Sequence, residues 1–184
     1  MRVILVNGSP REAMCTYTAL KEVADALEKN GVETKIIHAS FDRFEIEAAA
    51  QEIAEADGLV VGSPVYYSSP SGLVVYFLDE VFNRISKKMR MKAGAAVVSC
   101  RRGGASASFD VLNKYFTISQ MLVVSSNYWN MVHGNTPEEV RQDEEGMQTM
   151  RILGENMAYV IKALNAAALP LPELEKPVKT NFIR

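Results

Sequence analysis

The stretch Arg2 to Tyr17, RVILVNGSPREAMCTY, decides the fold. Val3 to Val6 is an apolar strand candidate. It runs into the polar turn Asn7-Gly8-Ser9-Pro10-Arg11 and then, at Thr16, into the head of a helical pattern. A helix N-terminus carries unpaired backbone N–H groups and the positive end of the helix dipole, so an anion placed there is stabilised before any side chain contributes. Ser9 and Thr16 add hydroxyl donors, and Arg11 adds a planar cationic fork. The stretch reads as a strand, a phosphate-binding loop and a helix.

Working outward, the same alternation recurs. Ala19, Leu20, Val23, Ala24 and Leu27 fall at helical spacing, and Asn30-Gly31 ends that helix. Val32 to His38 is a second strand, and residues 42 to 56, rich in Ala and Glu, favour helix. Leu59 to Gly62 is a third strand, followed by the turn Ser63 to Ser69. There Ser69 is expected to cap, and Pro70 to start, a helix with Leu73, Val74, Phe77, Leu78, Val81, Phe82 and Ile85 on one broad face. Ala93 to Ser99 is a fourth strand, Ser106 to Ile118 a helix, and Met121 to Ser125 a fifth strand. Asn127 to Asn135 is an aromatic and polar loop. Thr136-Pro137-Glu138-Glu139 opens a last long helix that Gly146 and Gly154 divide or kink.

Apolar rather than alternating strands indicate a parallel sheet covered on both faces. The expected architecture is α/β, a flavodoxin-like doubly wound five-stranded sheet in the order 2-1-3-4-5. It forms a single domain over 1–168 with an extended tail over 169–184. A chain of 184 residues that is 48% hydrophobic has enough for one buried core and little for two.

Composition narrows the function. Lys and Arg number 20 against 22 Asp and Glu, which gives no general attraction for nucleic acid. Met1-Arg2 is followed by only four apolar residues, and no run approaches the ~20 that a membrane span requires, so neither a secretory signal nor a membrane anchor is expected. Two cysteines, Cys15 and Cys100, make no disulfide framework and no C-x-x-C pair, which suits a reducing, cytoplasmic setting.

Ligands of such sheets bind beyond the carboxyl ends of the strands, near the point where strand order reverses. Three turns lie there: Gly8 to Thr16, Ser63 to Ser69, and Ser99 to Gly104. Neither G-x-G-x-x-G nor G-x-x-x-x-G-K-[ST] is present, which leaves a hydroxyl-rich loop suited to a mononucleotide. Tyr66 and Tyr67 offer aromatic faces for a flat ring. Gly103-Gly104 allows close backbone approach, and Arg101-Arg102 can offset negative charge. Cys15 lies at a helix N-terminus, which lowers a thiol pKa, although burial as a small apolar residue is the commoner fate.

Taken together, the turns G-S-P-R-x-x-x-x-T (Gly8 to Thr16), G-S-P-V-Y-Y (Gly62 to Tyr67) and R-R-G-G (Arg101 to Gly104) resemble the flavodoxin-like NADPH-dependent FMN reductase family. The likeness is strongest to its branch of short oxidoreductases related to iron-sulfur flavoproteins. It extends to the YWNMVHG loop and the TNFIR ending. The resemblance implies FMN, with its phosphate on Ser9, Arg11, Cys15 and Thr16, its ribityl and ring edges on Pro64, Val65, Tyr66 and Tyr67, and its ring system near Ser99, Arg101, Arg102, Gly103 and Gly104. It implies hydride transfer from NADPH or NADH through the flavin to a quinone, free flavin or other small acceptor. The flavin carries that chemistry, so no side-chain acid or base is named.

Many relatives carry a cysteine-rich insertion after the second strand. Here His38-Ala39-Ser40 passes almost directly into helix, so no cluster or other metal is expected. Trp129 and His133 are candidates to cover the flavin or nicotinamide site, including that of a neighbouring subunit. The aromatic loop Tyr128-Trp129 and the proline-bearing tail supply more apolar surface than a small monomer usually leaves in water, which points to a homodimer or homotetramer. The competing readings are an FMN-binding electron carrier without a nicotinamide site and a flavin-free scaffold.

Overall fold

A computed structural model describes residues 1–180. Elements alternate from the start: β1 (Arg2–Asn7), α1 (Cys15–Lys29), β2 (Glu33–His38), α2 (Arg43–Glu55), β3 (Gly58–Tyr66), β4 (Ser69–Pro70) and α3 (Gly72–Ile85). They continue with β5 (Ala93–Cys100), α4 (Ala105–Ile118), β6 (Leu122–Val123), β7 (Met131–His133), α5 (Pro137–Gln142) and α6 (Glu144–Ala167). The main sheet runs β2-β1-β3-β5-β6 with every neighbour parallel. Because β4 is a two-residue return off β3, this is the expected 2-1-3-4-5 order.

The two-residue period of a strand sends successive side chains to opposite faces. Val3, Leu5, Val60, Ala95 and Val97 pack with Leu20 and Val23 of α1 and with Met150, Leu153 and Met157 of α6. Ile4, Val6, Leu59, Val61, Ala96 and Val98 pack with Ile53 of α2, Phe77 and Leu78 of α3, and Leu112 and Phe116 of α4. In both cores the apolar side chains of β1, of β3 up to Val61 and of β5 are fully or almost fully buried.

Three local expectations are corrected. Ser69 and Pro70 do not start α3. They pair antiparallel with Tyr66 and Val65, and Ser71 caps α3 through its hydroxyl, which accepts from Val74 N at 3.1 Å. The fifth strand is split: β6 pairs with the start of β5 (Ala93↔Leu122), and β7, inside the predicted loop, pairs with its end (Cys100↔His133). The loop between them is pinned by buried Asn130, which donates from Nδ2 to Ala96 O at 2.9 Å.

The long C-terminal helix breaks at Asp143, not at a glycine. Asp143 accepts from Gly146 N and caps α6, within which Gly146 and Gly154 both lie. At Gly154 a Cβ would stand 2.6 Å from Ala26 Cβ, so the missing side chain lets α6 close on α1. Residues 168 to 180 carry no regular structure and are exposed throughout. The rest of the predicted tail, including all of the TNFIR ending after Thr180, lies outside the described residues.

Candidate functional site

The crevice between β1 and β3, where strand order reverses, opens at the carboxyl edge of the sheet. Gly8 locks its floor. Its N–H donates to Gly62 O at 2.8 Å, and its carbonyl accepts from Ser71 Oγ at 2.5 Å. A Cβ at Gly8 would meet Val74 Cβ at 2.5 Å, so a larger residue would push α3 away from β1. The loop beyond it folds on itself: Ser9 N donates to Asn7 Oδ1 at 3.1 Å, and Arg11 N donates to Ser9 Oγ at 3.1 Å.

The loop delivers the chain to α1, whose N-cap residue, Met14, has no side-chain cap. The first helical bond of α1 runs from Thr18 N to Met14 O, so the amides of Cys15, Thr16 and Tyr17 precede any intrahelical acceptor. Its first turn has no acidic residue. A cleft of about 170 Å³ lies against this helix end.

Nine of the residues expected from sequence line that cleft. They are Ser9, Arg11, Cys15 and Thr16 from the first turn, Pro64, Val65 and Tyr66 from β3, and Ser99 and Arg101 at the end of β5. Thr16 Oγ1 and Ser99 Oγ, both buried, lie 2.8 Å apart. One hydrogen is shared between these two hydroxyls, and the other remains for a ligand. Arg11 and Arg101 enter no ion pair among the described residues. Buried hydroxyls, a bare helix N-terminus and unpartnered guanidinium groups form a donor set for an anion such as phosphate.

Tyr67, Arg102, Gly103 and Gly104 are not in the cleft but along its outer rim. Tyr67 and Ser68 form the tip of the β3–β4 hairpin, both in the left-handed region at φ 50° and 58°. That conformation costs a non-glycine residue about 1–2 kcal/mol. The Tyr67 side chain is fully exposed and Tyr66 is 37% exposed. Gly104, at φ 88°, packs on the hairpin: a Cβ there would lie 2.7 Å from Ser68 Cα. Glycine is thus required where the second and third turns touch.

Sequence reasoning missed Met14, Gly134 and Asn135 as cleft residues, and it placed Cys100 only at the same sheet edge. Gly134 and Asn135 reach the cleft because β7 runs parallel to β5 and ends beside it. Gly134 N donates to Cys100 O at 3.1 Å, and the Cys15 thiol faces Gly134 O at 3.7 Å. No signal in the sequence marks this, since the strand that carries it is three residues long. Trp129 and His133 do not enter the cleft. With Tyr128, Asp143 and Glu145 they line a separate pocket.

Both thiols are the reverse of activated. Burial pushes the Cys15 pKa up, outweighing its own backbone amide and the nearby Arg11, and Glu139 and Glu138 push the same way. Burial likewise raises Cys100, with Asp143 adding to it. Desolvation therefore overrides the helix end at Cys15.

Known proteins give the site its context. Residues 1–136 match the family model for NADPH-dependent FMN reductase. An iron-sulfur flavoprotein of Methanocaldococcus jannaschii is 28% identical, with 89% of this chain and 99% of that protein covered. An FMN reductase (NADPH) of Pseudomonas putida is 32% identical over 43% of this chain and 46% of its own. A WrbA-like flavodoxin from Agrobacterium tumefaciens superposes with a TM-score of 0.70 at 19% identity, covering 88% of this chain and 98% of that one. That likeness is one of fold.

The cluster in the archaeal relative's name has no evident ligand set here. The sequence holds two cysteines against the four that such clusters use, and only Ala39 to Asp42 separate β2 from α2. Among the described residues no three His, Cys, Asp or Glu side chains gather as a metal site. The parallel sheet, the anion cleft at its switch point and the match over residues 1–136 agree: the chain belongs to the NADPH-dependent FMN reductase family of flavoprotein oxidoreductases.

Proposed function

We propose that this protein is an FMN-dependent oxidoreductase that takes hydride from NADPH and hands it to a small diffusible acceptor, a quinone or free flavin. The observation that carries this reading is the meeting of Ser9, Arg11, Thr16 and the uncapped start of α1 in one cleft at the sheet's switch point. FMN, when bound, supplies the two-electron chemistry.

The chain's own residues do the rest. Ser9 Oγ, the free hydrogen of the Thr16–Ser99 pair, the first amides of α1 and the Arg11 guanidinium hold the phosphate. The protonated Cys15 thiol adds no negative charge beside it. The cleft takes the phosphate at the start of α1 and the ribityl chain beside it. The ring is then placed outward, against Pro64 to Tyr67 and the Arg101 to Gly104 turn. There the tyrosines supply aromatic contact and the arginines offset negative charge. The exposure of Tyr66 and Tyr67 leaves that rim accessible to a small acceptor.

A homo-oligomer fits Tyr128 and Trp129, each more than half exposed, together with Leu169, Leu171, Leu174 and Val178 on the tail. The two free thiols suit a reducing cytoplasm, and no described helix is long and apolar enough to cross a membrane. We read residues 1–168 as one domain.

The test is an absorption spectrum of purified protein before and after anaerobic NADPH. A bound-flavin spectrum that bleaches with NADPH and returns on adding a quinone is expected. A bound flavin that stays oxidised with both NADPH and NADH would overturn the reductase reading. One reduced only by a protein donor would make this an electron carrier. Sedimentation showing only monomer at micromolar concentration would remove the oligomer.

A further inference from the structure

Asn7, the last residue of β1, has no exposed surface and does not line the cleft. Its carboxamide is nevertheless the most heavily used side chain beneath the loop. Ser9 N–H donates to Oδ1 at 3.1 Å, which fixes that end as the acceptor. Nδ2 donates to the Glu12 carbonyl oxygen at 2.9 Å and faces His38 Nδ1 at 3.2 Å. An amide nitrogen only donates, so His38 Nδ1 accepts, and the ring hydrogen of neutral His38 sits on Nε2. The Asn7 backbone carbonyl accepts from Ala39 N at 3.0 Å, closing the link to the end of β2. One side chain thus ties the first residue of the loop, its middle and the neighbouring strand into a single bonded unit.

We propose that Asn7 is a positioning residue that sets the preference of the cleft for phosphorylated over unphosphorylated flavin. The inference rests on the FMN reading above and deepens it. Asn7 does not itself line the cleft; it acts through Ser9 and Glu12, which bracket Arg11. With both ends of the carboxamide engaged, the loop holds its hydroxyl and cation in place before the ligand arrives, and that preorganisation serves the phosphate end alone. Leucine matches asparagine in shape and retains none of the three bonds.

The experiment compares FMN with riboflavin, which lacks the phosphate, by titrating each into flavin-free protein. In Asn7→Leu, FMN affinity is expected to fall about ten- to a hundredfold, because ordering the freed loop then draws on the binding energy of the phosphate. Riboflavin affinity is expected to stay within about twofold. Equal loss for both flavins, or no loss for FMN, would overturn the proposal.

His38→Ala removes one bond from an exposed side chain and covers the case in which Asn7→Leu fails to fold. It is expected to weaken FMN about threefold and leave riboflavin unchanged, and an equal effect on both counts against the proposal. Nitrogen NMR of His38 in flavin-free wild-type protein gives a readout without ligand: hydrogen on Nε2 supports the anchoring, and hydrogen on Nδ1 overturns it. If wild-type protein binds neither flavin, the functional reading and the flavin preference fall together, and the His38 spectrum alone decides the anchoring.

Discussion

The six described α-helices divide into two kinds at their N-termini. Asp42, Ser71, Thr136 and Asp143 cap α2, α3, α5 and α6 through their own side chains, whereas α1 and α4 begin at Met14 and Gly104 with no side-chain cap. A missing cap costs a helix about 1 kcal/mol at a residue such as Met14 and only about a few tenths at a glycine such as Gly104. The two helices that forgo it start at turns one and three, which frame the cleft and its rim. The four capped helices complete their own first turns, while the start of α1 at the cleft leaves its first amides free for the phosphate proposed above.

That contrast can be broken in four ways. The largest effect is ligand stabilisation. FMN at a hundredfold excess over its Kd is expected to add about 2.7 kcal/mol, read as a rise in Tm, and a negligible rise would remove the ligand from the cap's role.

Next is Met14→Asp, which gives α1 the cap it lacks. The flavin-free protein is expected to gain about 0.5–1 kcal/mol in urea unfolding while FMN binding weakens at least tenfold, since carboxylate and phosphate compete for the same amides. Moves in the same direction would refute the competition.

The converse variant, Asp42→Ala, removes the oxygen that accepts from Phe44 N at 2.9 Å and Glu45 N at 3.0 Å. A loss of about 1 kcal/mol of stability with unchanged FMN affinity is expected, and reduced affinity would erase the distinction between the two kinds of helix.

The smallest effect is on thiol chemistry. Both cysteines are pushed above the ordinary thiol pKa, so the neutral form dominates at pH 7 and the thiolate grows only on the alkaline side. Alkylation of flavin-free protein is therefore expected to be slower than that of a free thiol at pH 7 and to accelerate through the alkaline range. Fast labelling at pH 7 would show that the bare end of α1 does lower the Cys15 pKa.

Much of this was legible in the sequence because it rests on local rules. Apolar runs such as Val3 to Val6 and Ala93 to Ser99 mark buried parallel strands, and glycine, proline and hydroxyl residues mark the turns at one edge. That places Ser9, Thr16, Pro64 and Ser99 together.

The hairpin tip was not legible, because Tyr67 and Ser68 adopt a left-handed turn without the glycine or asparagine that normally announces one. Nor was the arrival of Gly134 and Asn135. It depends on a three-residue strand pairing with β5 and on one buried side chain, Asn130, closing the loop before it. The silence of Cys15 as a reactive thiol is also tertiary, since burial decides it.

The split fifth strand bears on how this protein behaves when concentrated. An uninterrupted outer strand presents a row of open backbone groups on which another chain can add itself, the first step toward fibrils. Here β6 is two residues long, β7 is three, and a loop fastened by Asn130 stands between them, so that margin offers no continuous template. The opposite margin, β2, is six residues long and carries Glu33 and Lys35, charges that discourage the same event. The break that carries Gly134 into the cleft also keeps the sheet from growing into its neighbours.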